Sequence, residues 1–444
     1  MNRMTAAAAL LATSALFPHT PAFAQGSAAP GAVSAPAATD TQAQIDALQD
    51  QVKALQETLE QLKAQVATAT PVWKGAPQLA NEEAGWSFKP RGRLQYDFGH
   101  VSSPDGYENL GLGFSNEVRR ARLGVEGTMP GDFGYKFEVD AATGSIEFAD
   151  AYLSYAPGPV ELIVGQHNNF QSLEELTSSL HTSFIERAAF TDAFGFERRV
   201  GVSAQYARGH LLAQGGVFTD SIADLNDLGD RNNSYGFDTR LVYAPKFGGN
   251  QLHFAGSAHW RDLNDAASSV RYRQRPAIHT TDVRFVDTGP IPDAKKEIGY
   301  GAEAAGIFGP FHVAGEAYWQ TVSRAGDDPT FFGAYLEGGY FLTGESRGYK
   351  AGKFDRVKVK EPFGKGGTGA LSLNARWDHL DLVDSGFVGG TQNAYQASLN
   401  WKPTDYVLFG LIYAHILYDD AAIAPSGDGD YSVDVMGLRS QVDF

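Results

Sequence analysis

Lys89, Arg91 and Arg93 occupy every second position of one segment, and Arg120 and Arg122 repeat that spacing on the next. On an extended chain, residues two apart project from the same face, so each set lines its cations along one side. Lys136, Arg199, Arg240, Arg261, Arg376 and Arg439 add cations to the polar parity of later segments. Arginine and lysine stay charged across the physiological pH range, so this set offers electrostatic rather than proton-transfer chemistry. A column of such groups around a wet passage attracts anions and repels cations. Asp97, Glu126, Glu138, Asp140 and Asp378 leave a second arrangement open, in which the cations form one half of a balanced transverse field. A β-bulge in the second segment would exchange Arg119 for Arg120 on the wet side.

Other chemistries find little support. Residues Gly364 to Gly369 formally spell G-x-G-x-x-G, but that fingerprint needs a helix behind it, and Ala370 to Asp378 alternates like a strand. The histidines include no HExxH pattern, so a zinc site is not expected. Asp220, Asp224, Asp227 and Asp230 crowd one segment without the spacing of an EF-hand, which fits a solvated or lipopolysaccharide-facing loop better than a calcium site. No catalytic residue, metal or cofactor is assigned, and the chain is not expected to be an enzyme. A formal charge of −16 argues against a nucleic-acid partner.

The elements that position the cations are strands. From Trp86 onward the pattern has period two. Phe88, Leu94, Tyr96 and Phe98 alternate with Lys89, Arg91, Arg93, Gln95 and Asp97, while Leu371, Leu373, Ala375 and Trp377 alternate with Ser372, Asn374, Arg376 and Asp378. Arginine facing lipid at mid-membrane would cost about 2–4 kcal/mol, so the charged parity must turn inward and the apolar parity outward. Roughly 360 residues follow Trp86, and at ~22 residues per strand and turn they make close to sixteen strands. Fifty glycines and 12% aromatic residues suit many short strands and turns. No later stretch reaches ~18 consecutive apolar residues, so no transmembrane helix is expected. The expected fold is therefore all-β: a sixteen-stranded antiparallel transmembrane β-barrel over 86–444. Its last strand, Tyr431 to Phe444, carries Met436, Leu438, Val442 and Phe444 on one parity and Arg439, Gln441 and Asp443 on the other.

Ahead of the barrel, Arg3, the apolar run Ala6 to Leu16 and Ala22-Phe23-Ala24 read as a secretory signal peptide, 1–24. A flexible linker is expected over 25–39. Ile45, Leu48, Val52, Leu55, Leu59, Leu62 and Val66 then recur at spacings of three and four, which predicts an oligomerising coiled coil over 40–68, followed by a second linker over 69–85. Isoleucine or valine at a with leucine at d leans, taken alone, towards a dimer. Length assigns Thr219 to Ser234, Asp262 to Lys296 and Thr343 to Gly367 to outer loops, and Met129 to Asp132 and Ala156 to Pro159 to inner turns. Phe170 to Phe196 is long enough to fold into the barrel and narrow it.

Several stretches together resemble a known family, the phosphate-selective porins O and P of Gram-negative outer membranes. They are Val118-Arg119-Arg120-Ala121-Arg122-Leu123-Gly124, Leu162-Ile163-Val164-Gly165-Gln166, Leu173 to Ser179 with Glu186-Arg187, Phe341-Leu342-Thr343-Gly344-Glu345, Leu399-Asn400-Trp401 and Arg439 to Phe444. The resemblance implies a homotrimer of sixteen-stranded barrels with an inward loop as constriction and an arginine ladder feeding it. Carried over by position, Arg120, Arg122 and Arg199 are ladder residues, and Ser178, Ser179 and Arg187 are constriction-loop residues. Phe444 would belong to the signal read by the outer-membrane insertion machinery. One departure bears on specificity: where strictly phosphate-selective members follow Thr-Ser-Ser with lysine, this chain has Leu180. The expectation is thus a passive porin in the bacterial outer membrane, among lipid and lipopolysaccharide, with its coiled coil in the periplasm. It would pass small anions, with phosphate or polyphosphate as candidates. The alternatives are a porin for organic solutes such as sugars or dicarboxylates, and a non-conducting barrel anchor.

Overall fold

The computed structural model describes residues 38–69, 71–73, 75–227 and 232–444. The expected signal peptide and all but the last two residues of the first linker lie outside them. The chain divides into a helical unit ending at Val66 and a strand unit from Ala67. In the first, α1 (Ala38–Ala69) presents Ile45, Leu48, Val52, Leu55 and Leu59 as one exposed apolar stripe.

The second unit is a ring of strands, β1 (Trp86–Val101), β2 (Gly113–Met129), β3 (Phe133–Asp140), β4 (Glu147–Tyr155), β5 (Val160–Asn168), β6 (Arg198–Arg208), β7 (Leu211–Phe218) and β8 (Tyr235–Tyr243). It continues with β9 (Asn250–Asp262), β10 (Ala294–Phe308), β11 (Phe311–Arg324), β12 (Thr330–Phe341), β13 (Ala370–Asp384), β14 (Phe387–Thr404), β15 (Val407–Asp419) and β16 (Tyr431–Asp443). Each strand pairs antiparallel with the next, and β16 pairs back onto β1 with Arg439 opposite Asp97 and Gln441 opposite Gln95. Among the described residues closure leaves the ring without a free edge, which is the condition for crossing lipid with strands. Within the expected second linker, a short strand Pro77–Asn81 pairs onto the start of β1. The two faces sort as the period-two pattern predicts. On β16, Met436 and Leu438 point outward and are exposed, whereas Arg439, Gln441 and Asp443 are buried inside. Leu123, Leu153, Val202, Leu241, Leu336 and Leu373 continue the apolar exterior round the ring.

The seam is finished by the last residue. The amide of Phe444 donates to the carbonyl of Gly92 at 3.0 Å, and the Gly92 amide donates back to Phe444 at 3.2 Å. A β-carbon at position 92 would lie 2.1 Å from the Phe444 ring, far inside contact distance, so only glycine lets the ring lie over the first strand. Gly92→Val should therefore lower the fraction of barrel that reaches the membrane in its compact, heat-modifiable form several-fold. An unchanged fraction on unheated SDS gels would show that the ring can re-seat and that closure does not depend on it.

Strand alternation assigns each connection to one end of the barrel. The short turns 130–132, 156–159, 209–210, 309–310 and 405–406 share the end that holds Phe444, and 169–197, 219–234 and 263–293 lie at the other. The long connection 342–369 corrects the expectation from length: joining β12 to β13, it lies at the turn end rather than with the outer loops. Its length is taken up inside the ring. Gly348–Lys350 and Lys353–Asp355 form a hairpin, and Phe354, opposite Tyr349 in it, is only 2% exposed.

The candidate pore and its constriction

The positive wall begins with an irregularity in β2. Gln95 faces Arg120, but the next residue, Tyr96, faces Val118, so the ladder skips Arg119. A bulge puts two consecutive residues on one side. Arg119 and Arg120 consequently both turn inward, followed at normal spacing by Arg122. Sequence parity treated these two arginines as alternatives; the bulge places both on the wet face.

The connection 169–197 crosses the barrel from β5 and β6 to the opposite wall. Two short helices, α2 (Leu173–Leu176) and α3 (Ala189–Ala193), punctuate it. Their free N-terminal amides need acceptors, and carboxylates on the wall supply them. Leu173 and Glu174 donate to Glu316 of β11 at 2.8 and 2.7 Å, and Ala189 donates to Asp378 of β13 at 2.9 Å. Arg376 of β13 donates to Glu174 at 2.7 Å, and Arg439 of β16 donates to the Ile185 carbonyl at 2.6 Å. Ser398 and Asn400 of β14 both donate to the Ser183 carbonyl at 2.7 Å. Apolar packing seals this side: Phe190 stacks on Tyr318 with centroids 5.9 Å apart, in a buried cluster with Leu173, Phe194, Tyr335 and Leu380. The loop thus fills part of the lumen and displaces the open path towards the wall of β1–β7.

The turn-end hairpin narrows the same path from the other side. Arg347 donates to the His181 carbonyl at 3.2 Å and to Ser183 at 2.7 Å, tying the segment to the inward loop, while Arg240 of β8 donates to the Gly352 carbonyl at 2.9 Å. Lys350, Lys353 and Asp355 then face the path. Replacing 348–355 by a short Gly-Ser link should raise single-channel conductance in planar bilayers at least about twofold; equal conductance would mean that ions do not pass the hairpin.

Between these elements remains a cavity of about 1250 Å³. Its lining brings together Arg91, Arg93, Arg120, Arg122 and Lys136 with Ser178, Ser179 and Arg187. Most of its charges are answered. Arg122 is bonded to Asp140 at 2.7 Å and Glu138 at 3.2 Å, Arg198 to Asp150 at 2.7 Å, and Arg119 to Glu186 at 2.8 Å. Arg91 pairs with Glu126 and Lys136 with Asp150. Over the whole lining, eleven lysines and arginines face ten aspartates and glutamates, so the passage is close to neutral in sum and polarised in detail. Among the lining arginines Arg120 is the exception; Lys350 and Lys353 on the turn-end hairpin are the other lining cations without an ion pair among the described residues. The Arg120 guanidinium donates to Gln95 Oε1 at 3.0 Å and makes no ion pair among the described residues. Arg93, beside it, donates to Ser179 Oγ at 2.9 Å, with Glu138 3.6 Å away.

Within the loop, Arg187 spends its donors internally, on the carbonyls of Glu174, Glu175 and Thr177 at 3.0, 3.1 and 2.9 Å. Burial works against the charge of Glu186, but Arg119, Arg120 and Arg439 outweigh it and hold that carboxyl well below the usual range. Burial, reinforced by Lys402 and Arg356, pushes His181 well below the ordinary imidazole value, so its ring is neutral near pH 7.

The remaining predicted cations lie off the cavity lining. Arg240 is paired with Glu303 at 2.6 Å, Arg261 with Asp220 at 2.7 Å, Arg376 with Glu337 at 2.6 Å and Arg439 with Asp97 at 2.6 Å. Arg199 contacts Glu197 at 3.3 Å, and Lys89 sits near the turn end of β1 opposite Glu126. Conversely, Arg119, Arg198, Arg275, Lys350 and Lys353 line the cavity without having been assigned to it from sequence. Only Arg119 had a signal, the doubled arginine that a bulge can accommodate; the others come from loops or from the step into a strand. Gly344-Glu345-Ser346-Arg347-Gly348 formally spells the nucleophile-elbow pattern G-x-S-x-G. That elbow requires a strand running into a helix, whereas here the pattern runs into the hairpin.

Comparison with known proteins agrees with this architecture. An uncharacterized protein of Caulobacter vibrioides is 48% identical over 380 residues, covering 84% of this chain and 76% of that protein. Porin O of Pseudomonas aeruginosa is 28% identical over 421 residues, covering 84% and 91%. An anion-selective porin from Comamonas acidovorans superposes with a TM-score of 0.51 at 11% identity, covering 81% of this chain and 100% of the other, a likeness of fold alone. The family described as phosphate-selective porin O and P matches residues 88–444, which is the closed ring from its first strand to its last residue. By that match, over a barrel built as a channel rather than around a catalytic centre, the chain belongs to the phosphate-selective porin O and P family of the outer membrane.

Proposed function

We propose that this porin passes small anions passively, with phosphate or polyphosphate as candidate solutes, and that it selects them at the constriction. The observation that carries the reading is Arg120: a guanidinium without a carboxylate partner, beside Arg93 and the Ser179 hydroxyl, where the inward loop meets β1 and β2. Because the lining is nearly neutral in sum, discrimination falls to the place where cations outnumber their partners. Guanidinium and hydroxyl donors suit an oxyanion. In this reading Arg91, Arg93, Arg120, Arg122 and Lys136 act along the path, and Ser178 and Ser179 line the narrow part. The buried Arg240, Arg261, Arg376 and Arg439 act on the ion only through the field and the framework they hold. The stripe on α1 is read as a periplasmic coiled coil of a homotrimer, and Phe444 as part of the signal for barrel insertion.

The eleven-to-ten balance of the lining also favours a second reading, a porin for organic solutes without phosphate preference. Planar bilayers separate the two. In a potassium chloride gradient the reversal potential should take the sign of an anion-selective pore; a cation-selective sign, or no conductance, refutes the proposal. Millimolar phosphate should then reduce the chloride current. An undiminished current removes phosphate and leaves the second reading.

A further inference from the structure

A second, much smaller cavity of about 30 Å³ lies between the inward loop, the 342–369 segment and the wall of β11–β15. Its lining differs in kind from that of the passage. Lys402, Arg347, His181 and His312 border it, and among the described residues no aspartate or glutamate does. Lys402 is 6% exposed and makes no hydrogen bond or ion pair among the described residues. The carboxylates that act on it from outside are Asp443 and Asp405. Asp443 is committed to Arg356, and Asp405 accepts the Val359 amide at 2.7 Å. Arg347 is met by Glu337 at 2.9 Å, but that carboxylate also serves Arg376 at 2.6 Å. His312 is 2% exposed, and both its ring nitrogens, with Nδ1 of His181, lack partners. A buried ammonium without a counter-ion, beside buried ring nitrogens without partners, is costly unless something in the cavity answers them.

We propose that this cavity binds one small monovalent anion of halide size, chloride under ordinary conditions. The volume holds about one or two water-sized bodies, which excludes phosphate, dicarboxylates and sugars. Lys402 supplies the charge, and His312 and Ser372 add donors from the same lining. The ion is a fastening rather than a permeating solute: it joins strand β14 to the inward loop at His181 and to the turn-end segment at Arg347, and so helps to set the width of the constriction. The site stands independently of which solute crosses the pore.

Bromide is the probe. Crystals of the full barrel grown in sodium bromide should give an anomalous peak in this cavity between Lys402 and His312, and in detergent the thermal midpoint should rise by several degrees when sodium gluconate is exchanged for bromide at constant ionic strength. Lys402→Met should lose both the peak and the bromide dependence, while Lys402→Arg keeps them. Water alone in the bromide-grown crystals overturns the proposal, as does a midpoint indifferent to bromide. A full bromide response in Lys402→Met does so too, because the ion would then sit among the lumen arginines. Should Lys402→Met fail to fold, the anomalous map of the unaltered protein decides.

Discussion

Arg120→Ala should lower the anion-to-cation permeability ratio at least about fivefold, read from the reversal potential in a salt gradient. A unit charge acting at ~4 Å contributes about 1 kcal/mol in bulk water and about 4 kcal/mol at an effective dielectric of 20. Even the lower figure corresponds to that change, because among the described residues no carboxylate forms an ion pair with Arg120. The sign can be checked from the opposite side. Glu186 accepts from Arg119 at 2.8 Å and from Arg439 at 3.1 Å, and Arg439 keeps Asp97, so Glu186→Gln unmasks Arg119 and should raise the ratio. Arg271→Ala, which breaks an exposed pair with Asp287 on an outer loop, should leave the ratio where it was. If Arg120→Ala and Arg271→Ala behave alike, selectivity resides elsewhere in the lumen.

Glu337→Ala should cost about 3–5 kcal/mol of stability, the range for removing one partner from a buried charge cluster, and should make the open channel larger and noisier. This carboxylate on β12 accepts from Arg376 of β13 at 2.6 Å, from Arg347 of the turn-end segment at 2.9 Å and from Ser183 of the inward loop at 3.0 Å. One side chain therefore holds together both elements that narrow the path. Its removal leaves Arg347 buried without a carboxylate and Arg376 with Glu174 alone, whereas Glu337→Gln retains hydrogen-bonding capacity and should fall between alanine and the natural residue. Thermal unfolding followed by circular dichroism and single-channel recording together test this. An alanine variant that melts like the parent and conducts with the same amplitude would show that the apolar packing around Phe190 holds the loop by itself.

Much of the barrel was legible in the chain because its cause is local. Each strand repeats the same two-residue alternation, and lipid outside with water inside penalises any other arrangement. Leu438 out and Arg439 in follows from parity alone, and strand arithmetic then yields the number that closes the ring. Ladder irregularities and connections were less legible. The bulge that turns both Arg119 and Arg120 inward depends on how β1 and β2 pair, and neither sequence segment carries that register alone. Length misassigned 342–369, because a loop filled with buried contacts can be as long as one that faces solvent.

What the sequence by itself determined is therefore the closed barrel, which face of each strand is charged, and that a long connection after β5 is available to enter the lumen. Which cations meet the passage was decided only in three dimensions. Arg120 and Arg376 stand on the same inward parity, yet one borders the open path and the other is locked between Glu174 and Glu337. The difference lies in the course of the inward loop, whose amides and side chains find their acceptors and donors on β1, β11, β13, β14 and β16. Those partners are distant in sequence and adjacent only after the ring has closed. Parity is a property of neighbours along the chain; charge pairing is a property of neighbours in space, and it is the pairing that leaves Arg120 available to an anion.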